Sequence, residues 1–304
     1  MKILKSLFKK KRKIKRVDLT RRFELIGRVG QGSMSKVWRA RDVMTGKMLA
    51  LKVLDKRKTR RYESRFPGLN KPTEGEISMQ LRHPNIARTH EFGWTLDDEQ
   101  FLATDFVEGV GLSYLVDVQN EVFRKNRIRF MVQLGSALEY FHKANWIHRD
   151  ICPRNVLLDQ DYQVKLIDFG LVVPNTPPFR KPGNRTGTVA YMAPELIKRM
   201  PTDQRIDVFS FAVTCYEMCT RRLPWDASDT FETVLQRINT PPHDIRKLVR
   251  YIDEQVAETI MRGLEAEPDR RWPSIARMLA PLRAAKLRIE GPDEEEDDES
   301  EEVE

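Results

Sequence analysis

Three closely spaced residues carry the chemistry in this sequence: Asp150 in His148-Arg149-Asp150, Asn155 just after it, and Asp168 at the head of Asp168-Phe169-Gly170. Two acids and an amide at these intervals can hold two magnesium ions and one hydroxyl nucleophile around a transferring phosphate. Asp150, on a loop, can orient an incoming hydroxyl and accept its proton, while Asn155 and Asp168 offer the hard oxygen ligands that suit Mg2+. Either aspartate alone reads equally well as a turn residue. The set, with Asn155 between them, points to phosphoryl transfer.

The flanking segments must hold these groups still. Asn155-Val156-Leu157-Leu158 and Val164-Lys165-Leu166-Ile167 are short apolar runs separated by the turn-rich Asp159-Gln160-Asp161. This spacing predicts a small hairpin beneath the site that fixes the ligands on backbone.

With these residues the chain resembles the eukaryotic-type (Hanks-type) serine/threonine protein kinase family, and other motifs extend the resemblance. Val29-Gly30-Gln31-Gly32-Ser33-Met34-Ser35-Lys36-Val37 holds two glycines whose missing side chains let backbone amides approach phosphate oxygens; Ser35 stands where the family has a third. Strands are expected from Phe23 to Val29, Lys36 to Arg41 and Met48 to Leu54. Lys52 interrupts the third, apolar strand, where an ammonium is costly unless anions meet it. The resemblance implies that Lys52 grips the nucleotide's phosphates with Glu74 as its helix partner, Glu76 being the alternative. Phe101 to Gly109 resembles the strand and hinge joining two lobes. By that likeness Thr104 controls the back pocket, Asp105 to Val107 offer backbone groups to adenine, and Val37, Ala50 and Leu157 sandwich the ring. Each of those last three also reads as plain core.

Downstream, Gly187-Thr188-Val189-Ala190-Tyr191-Met192-Ala193-Pro194-Glu195 and Ile206-Asp207-Val208-Phe209 continue the likeness. It implies a structural Glu195–Arg271 pair, and an Asp207 that ties back to the catalytic loop's backbone. One departure matters. The family's Ser/Thr members place Lys two residues after the catalytic Asp, where this chain has Cys152; Arg154 instead occupies the position that tyrosine kinases fill with Arg. Because guanidinium presents a fixed fork of donors to phosphate oxygens, Arg154 is expected to replace the lysine. Pro153 and the Gly187-Thr188 pair favour Ser/Thr over Tyr acceptors, the family's threonine there hydrogen-bonding the catalytic Asp. Arg149 marks kinases whose activation segment is held by a phosphothreonine, which makes Thr186 or Thr176 the candidate autophosphorylation sites; Asn184 stands where many relatives carry theirs.

The chain has 304 residues, 40% of them hydrophobic, enough for a sizeable core, and a net charge of +8. No apolar run approaches the ~18 residues of a membrane span, and lysines break the apolar start too often for a secretory signal. Three cysteines without metal-ligand spacing fit a reduced cytoplasm, and Cys215 and Cys219 read as small core residues. The ends are oppositely charged: residues 1–16 hold nine Lys/Arg and no acid, and residues 293–304 hold ten Asp/Glu and no base. Both are expected to be disordered. The basic end, with Ile3, Leu4, Leu7, Phe8 and Ile14 interspersed, could meet an anionic membrane or nucleic acid, and the acidic end could fold back as an autoregulatory element.

The expected architecture is α+β, a two-lobed protein-kinase-like fold with a small, mainly antiparallel β N-lobe and a larger, mainly helical C-lobe. Its expected divisions are a basic tail 1–22, a kinase domain 23–288 (N-lobe 23–107, C-lobe 108–288) and an acidic tail 289–304. The expected function is ATP- and Mg2+-dependent transfer of the γ-phosphate to Ser/Thr hydroxyls of protein substrates, with autophosphorylation. A pseudokinase scaffold could cite Cys152, Ser35 and Ser78, but it has no need of Lys52, Asp150, Asn155 and Asp168 together. A small-molecule phosphotransferase of related fold would usually lack the Gly187 to Glu195 segment.

Overall fold

In the computed structural model, which describes residues 16–31, 35–182, 185–225 and 239–291, the apolar run from Met48 to Leu54, broken only by Lys52, forms a central strand. The chain divides into two compact units: Met1–Pro67 with Gly75–Gln80 and Arg88–Phe106, and Gly68–Glu74 with Leu81–Ala87 and Val107–Glu304. The first is mainly an antiparallel sheet and the second mainly helical, the α+β arrangement expected.

The first unit contains β1 (Arg16–Val17), β2 (Phe23–Gln31), β3 (Ser35–Asp42), β4 (Met48–Leu54), β5 (Thr89–Thr95) and β6 (Gln100–Asp105). They lie in the order β1-β5-β6-β4-β3-β2, antiparallel except where β1 runs parallel to β5. Residues directly opposite on neighbouring strands share a face. Lys52 lies opposite Val37 and Leu102, and Ala50 opposite Arg39 and Thr104, so Val37, Ala50, Lys52 and Thr104 share one face. Leu49, Leu51, Phe101 and Ala103 take the other and join Phe23 and Ala40 in a core where Phe23 meets Phe101 edge-on at 6.0 Å. Burying each such large side chain contributes about 1.5–3 kcal/mol.

Residues 16–22, assigned from sequence to the basic tail, instead form β1 and the short helix α1 (Leu19–Arg22). Arg16 is held by Asp98 at 2.5 Å, and Asp18 caps α1 by accepting the Thr20 N–H. After β4 comes α2 (Lys56–Glu63), started by Asp55, whose carboxylate accepts the Lys58 N–H at 2.9 Å. Its buried residue is Tyr62, packed edge-on against Phe66. The helix α3 (Glu74–Ser78) is only five residues long.

In the second unit the expected hairpin is present: β9 (Val156–Asp159) pairs antiparallel with β10 (Val164–Leu166), and β7 (Gly109–Gly111) joins the other side of β9. Two-residue strands β8 (Trp146–Ile147) and β11 (Val173–Pro174) also pair. Around them lie α4 (Leu112–Val118), α5 (Glu121–Lys143), α6 (Pro194–Ile197), α7 (Arg205–Thr220), α8 (Ile245–Leu248), α9 (Glu254–Gly263) and α10 (Ile275–Ile289). Asn120 caps α5 and Ser274 caps α10 through backbone N–H groups. Nearly all of α7 is buried, including Cys215 and Cys219, so it is the apolar axis of this unit rather than an amphipathic surface helix. Glu290, placed from sequence in the acidic tail, follows α10 and accepts the Ile128 and Arg129 N–H groups. Among the described residues no helix is long and apolar enough to cross a membrane.

Candidate active site

A buried carboxylate sets the loop that carries Asp150. Asp207, near the start of α7 and fully buried, accepts the backbone N–H groups of His148 and Arg149, both at 2.8 Å, and bonds His142 Nε2 at 2.9 Å. Burial alone would raise its carboxyl, but these bonds and the nearby imidazoles hold it below the usual carboxylate range. Burial pushes His148 below the usual imidazole range despite the carboxylates around it, and its ring packs edge-on against Phe141 and Phe169. Arg149 sits in the left-handed region at φ 72°, a cost the surrounding bonds sustain. Gly187, at φ 126°, lies against the Arg149 carbonyl, where a Cβ would come within 2.6 Å. Only glycine fits there.

That close approach delivers the next residue to Asp150. The Thr188 N–H donates to Asp150 Oδ1 at 2.7 Å, and Asn155 Nδ2 donates to Asp150 Oδ2 at 2.9 Å and to the Asp150 carbonyl at 2.8 Å. Asn155 ends a short 3-10 turn, Pro153–Asn155, and its carbonyl accepts the Ile167 N–H just after β10. The hairpin thus positions Asn155 and leads directly into Asp168.

The donor set suits magnesium. With Asn155 Nδ2 committed to Asp150, its Oδ1 is the atom available to a cation. Asp168 Oδ1 accepts the Gly170 N–H at 3.0 Å, and a Cβ on Gly170 would sit 3.3 Å from both Asp168 Oδ1 and Glu74 Oε2. Among the described residues no group of three or more His, Cys, Asp or Glu side chains could hold a metal. One carboxylate and one amide oxygen are nevertheless enough for Mg2+, which keeps several waters and takes phosphate oxygens as ligands.

Thr188 bonds Asp150 as the resemblance implied, and it does so through its main chain. Its hydroxyl accepts Arg154 Nη2 at 3.3 Å and lies 3.9 Å from Cys152 Sγ. Burial, reinforced by the Asp150 charge, pushes the Cys152 thiol up to about 11, so it carries no charge at neutral pH. The exposed Arg154 supplies the cation in this loop.

Beside Thr188 lies a cavity of about 480 Å³, lined by Ser113, Asp117, Arg154, Tyr191 and Glu217 among others. The Tyr191 hydroxyl donates to Glu217 Oε2 at 2.5 Å, and burial raises the Glu217 carboxyl. Sequence reasoning missed this pair; the available signal was a lone carboxylate late in the otherwise apolar α7. Further along, Arg271 and Glu195 form a buried, two-pronged pair at 2.7 and 2.6 Å, with Arg271 also donating to the Glu265 and Ala266 carbonyls. Between Asp168 and Thr188, Asn175 bonds Gln204 and Arg180, while Thr202 N–H donates to the Arg180 carbonyl. Thr186 is buried, its hydroxyl without a partner among the described residues, and Thr176 is half-buried. Leu157 lies opposite Gly111 and Lys165, and Val107 is half-buried.

In the first unit, Lys52 is buried at 9% exposure on the face shared with Val37, Ala50 and Thr104, not solvated at a strand end. Gly30 lies opposite Val37, and Val29 is exposed. Asp105 N–H is committed to the Arg88 carbonyl and its carboxylate to Arg88 N–H and His90, and its carbonyl accepts the Thr104 hydroxyl at 3.4 Å. Gly32 and Asn184 lie outside the described residues.

Comparison with known proteins agrees with this geometry. Residues 23–280 match the family model described as "Protein kinase domain". The chain is similar to the human hormonally up-regulated neu tumor-associated kinase, 35% identical over 208 residues, covering 66% of this chain and 28% of that protein. It is also similar to the serine/threonine-protein kinase cds1 of Schizosaccharomyces pombe, 30% identical over 259 residues (82% of this chain, 55% of that protein). The serine/threonine-protein kinase PrkC of Bacillus subtilis is 24% identical over 267 residues, 87% of this chain and 40% of that protein. The chain spans less than two thirds of the length of each of these relatives.

Proposed function

Because the chain belongs to the protein kinase family, we propose that it transfers the γ-phosphate of ATP to Ser/Thr hydroxyls of protein substrates, itself included. The observation that carries this reading is the two-sided hold on Asp150: the Thr188 amide fixes one carboxylate oxygen and the Asn155 amide the other. A carboxylate held this way is oriented to accept the acceptor hydroxyl's proton as the oxygen attacks phosphorus. Asn155 Oδ1 and Asp168 would hold Mg2+, which neutralises phosphate charge during transfer. Lys52 binds the nucleotide's phosphates, with the Val29–Gly30 backbone approaching them, and Arg154 provides the charge that the absent lysine would have given. Val37, Ala50 and Thr104, on one face of the sheet, bound the adenine, and the Asp105 backbone meets its edge. The cavity beside Thr188 receives the acceptor peptide.

The kinase domain is assigned to 23–288, with charged flanks before and after it. Thr176, more exposed than the buried Thr186, is the better autophosphorylation site. The observed Glu195–Arg271 pair weighs against a small-molecule phosphotransferase, and the gripped Asp150 against a scaffold. The test is phosphate transfer from labelled ATP to a basic acceptor protein. Wild type transfers, Asp150→Asn loses at least about a hundredfold in kcat while still binding nucleotide, and phosphopeptide mapping finds Thr176. Nucleotide uptake without transfer by the wild type would leave the scaffold reading instead.

A further inference from the structure

The strand β5 carries one residue more than its neighbour can pair. Thr89 and Glu91 face the consecutive residues Thr104 and Ala103 of β6, and His90 is the extra residue between them. Such a bulge interrupts regular pairing and re-aims a side chain. Here the imidazole meets the carboxylate of Asp105, with His90 Nε2 at 2.6 Å from Oδ1. A carboxylate oxygen accepts and does not donate, so Nε2 carries the hydrogen.

Three bonds converge on Asp105 from this short stretch. Besides the His90 ring, the Arg88 N–H donates to Asp105 Oδ2 at 3.0 Å, and the Arg88 carbonyl accepts the Asp105 N–H at 2.9 Å. The following residue is held from β3, where the Arg39 guanidinium lies over the Phe106 ring at 4.9 Å. The His90 and Asp105 side chains reach solvent, at 31% and 46% exposure, and an exposed pair adds little to stability. Its effect is directional instead: with the N–H and the carboxylate both anchored, the Asp105 peptide is held in one orientation. A carbonyl has lone pairs and no hydrogen, so where the Asp105 backbone meets a base it accepts from the exocyclic amino group of adenine and opposes the oxygen that inosine carries in its place.

We propose that His90 is a positioning residue for nucleotide selection: its imidazole fixes the Asp105 carboxylate and thereby the peptide at the adenine edge, a role that rests on the phosphotransfer reading, in which the Asp105 backbone meets that edge. Removing the imidazole frees one of the three anchors and lets this peptide turn away from the base.

The test is calorimetric binding of ATP and of inosine triphosphate to the full chain with Mg2+, alongside steady-state kinetics. Wild type should prefer ATP by about tenfold or more. His90→Phe should weaken ATP binding about three- to tenfold, the size of one lost hydrogen bond, and leave inosine triphosphate binding unchanged, so that the base preference shrinks. His90→Gln, whose amide still donates, should retain most of it. Asp105→Ala should lose at least as much as His90→Phe, and adding His90→Phe to it should cost nothing further, because both changes remove the same bond. The urea midpoint and KM for the acceptor should be unchanged in the His90 variants, which separates positioning from a general weakening of the sheet. Unaltered ATP affinity in His90→Phe, or equal losses for both nucleotides, would overturn the proposal alone. A wild type that takes up ATP no better than inosine triphosphate would remove the adenine reading and this role with it.

Discussion

Arg154 and Thr188 are joined across the catalytic loop, Nη2 donating to Oγ1 at 3.3 Å, with the buried Cys152 thiol on the same hydroxyl at 3.9 Å. The position that would hold a lysine is thus uncharged, and the guanidinium stands close by.

If Arg154 does the missing lysine's work, Arg154→Ala lowers kcat by about 10- to 100-fold with little change in KM for ATP, the size of one lost charged hydrogen bond to the transferring group. Adding Cys152→Lys to that variant should restore much of the turnover. Steady-state kinetics decide it: full activity after loss of Arg154 rejects the substitution.

Glu195 and Arg271 are both buried, so removing one leaves the other's charge uncompensated. Glu195→Gln should cost about 3–5 kcal/mol in a denaturant titration of the second unit. Arg271→Leu should cost at least as much, since its bonds to the Glu265 and Ala266 carbonyls go too. A midpoint unchanged in both variants would mean that the pair is dispensable.

His148 is buried with its pKa depressed below 6.5, so the unfolded chain takes up a proton there that the folded chain refuses. Stability is therefore full above about pH 6.5 and falls below it, by up to about 1.4 kcal/mol per pH unit for one such group. Urea midpoints between pH 7.5 and pH 5.5 should show this slope, and His148→Gln should flatten it. An equal slope in the variant would place the titration elsewhere.

Glu217 and Tyr191 line the cavity beside Thr188, so Glu217→Ala should change KM for a peptide acceptor about tenfold while leaving KM for ATP alone. Equal shifts in both constants would point to general loosening of α7.

Much of the site was legible in sequence because its residues are close along the chain. Asp150, Asn155 and Asp168 flank one hairpin, whose two apolar runs and turn are local signals. Lys52 was legible as a cation inside an apolar strand, and its face with Val37, Ala50 and Thr104 follows from strand period and register. What escaped was long-range. The Tyr191–Glu217 bond joins a loop to a helix 26 residues away, and no local periodicity encodes it. The ordering of residues 16–22 depended on Asp98, 82 residues from Arg16. That the Thr188 bond to Asp150 runs through the main chain depended on the conformation of Gly187.

The hydrogen that fastens position 188 to Asp150 belongs to the peptide bond, and every residue type but proline possesses one. Side-chain drift at that position would therefore spare the latch, whereas lifting the segment around Thr188 by an ångström or two would undo it. A compound wedged behind that segment would silence turnover without ever competing with nucleotide.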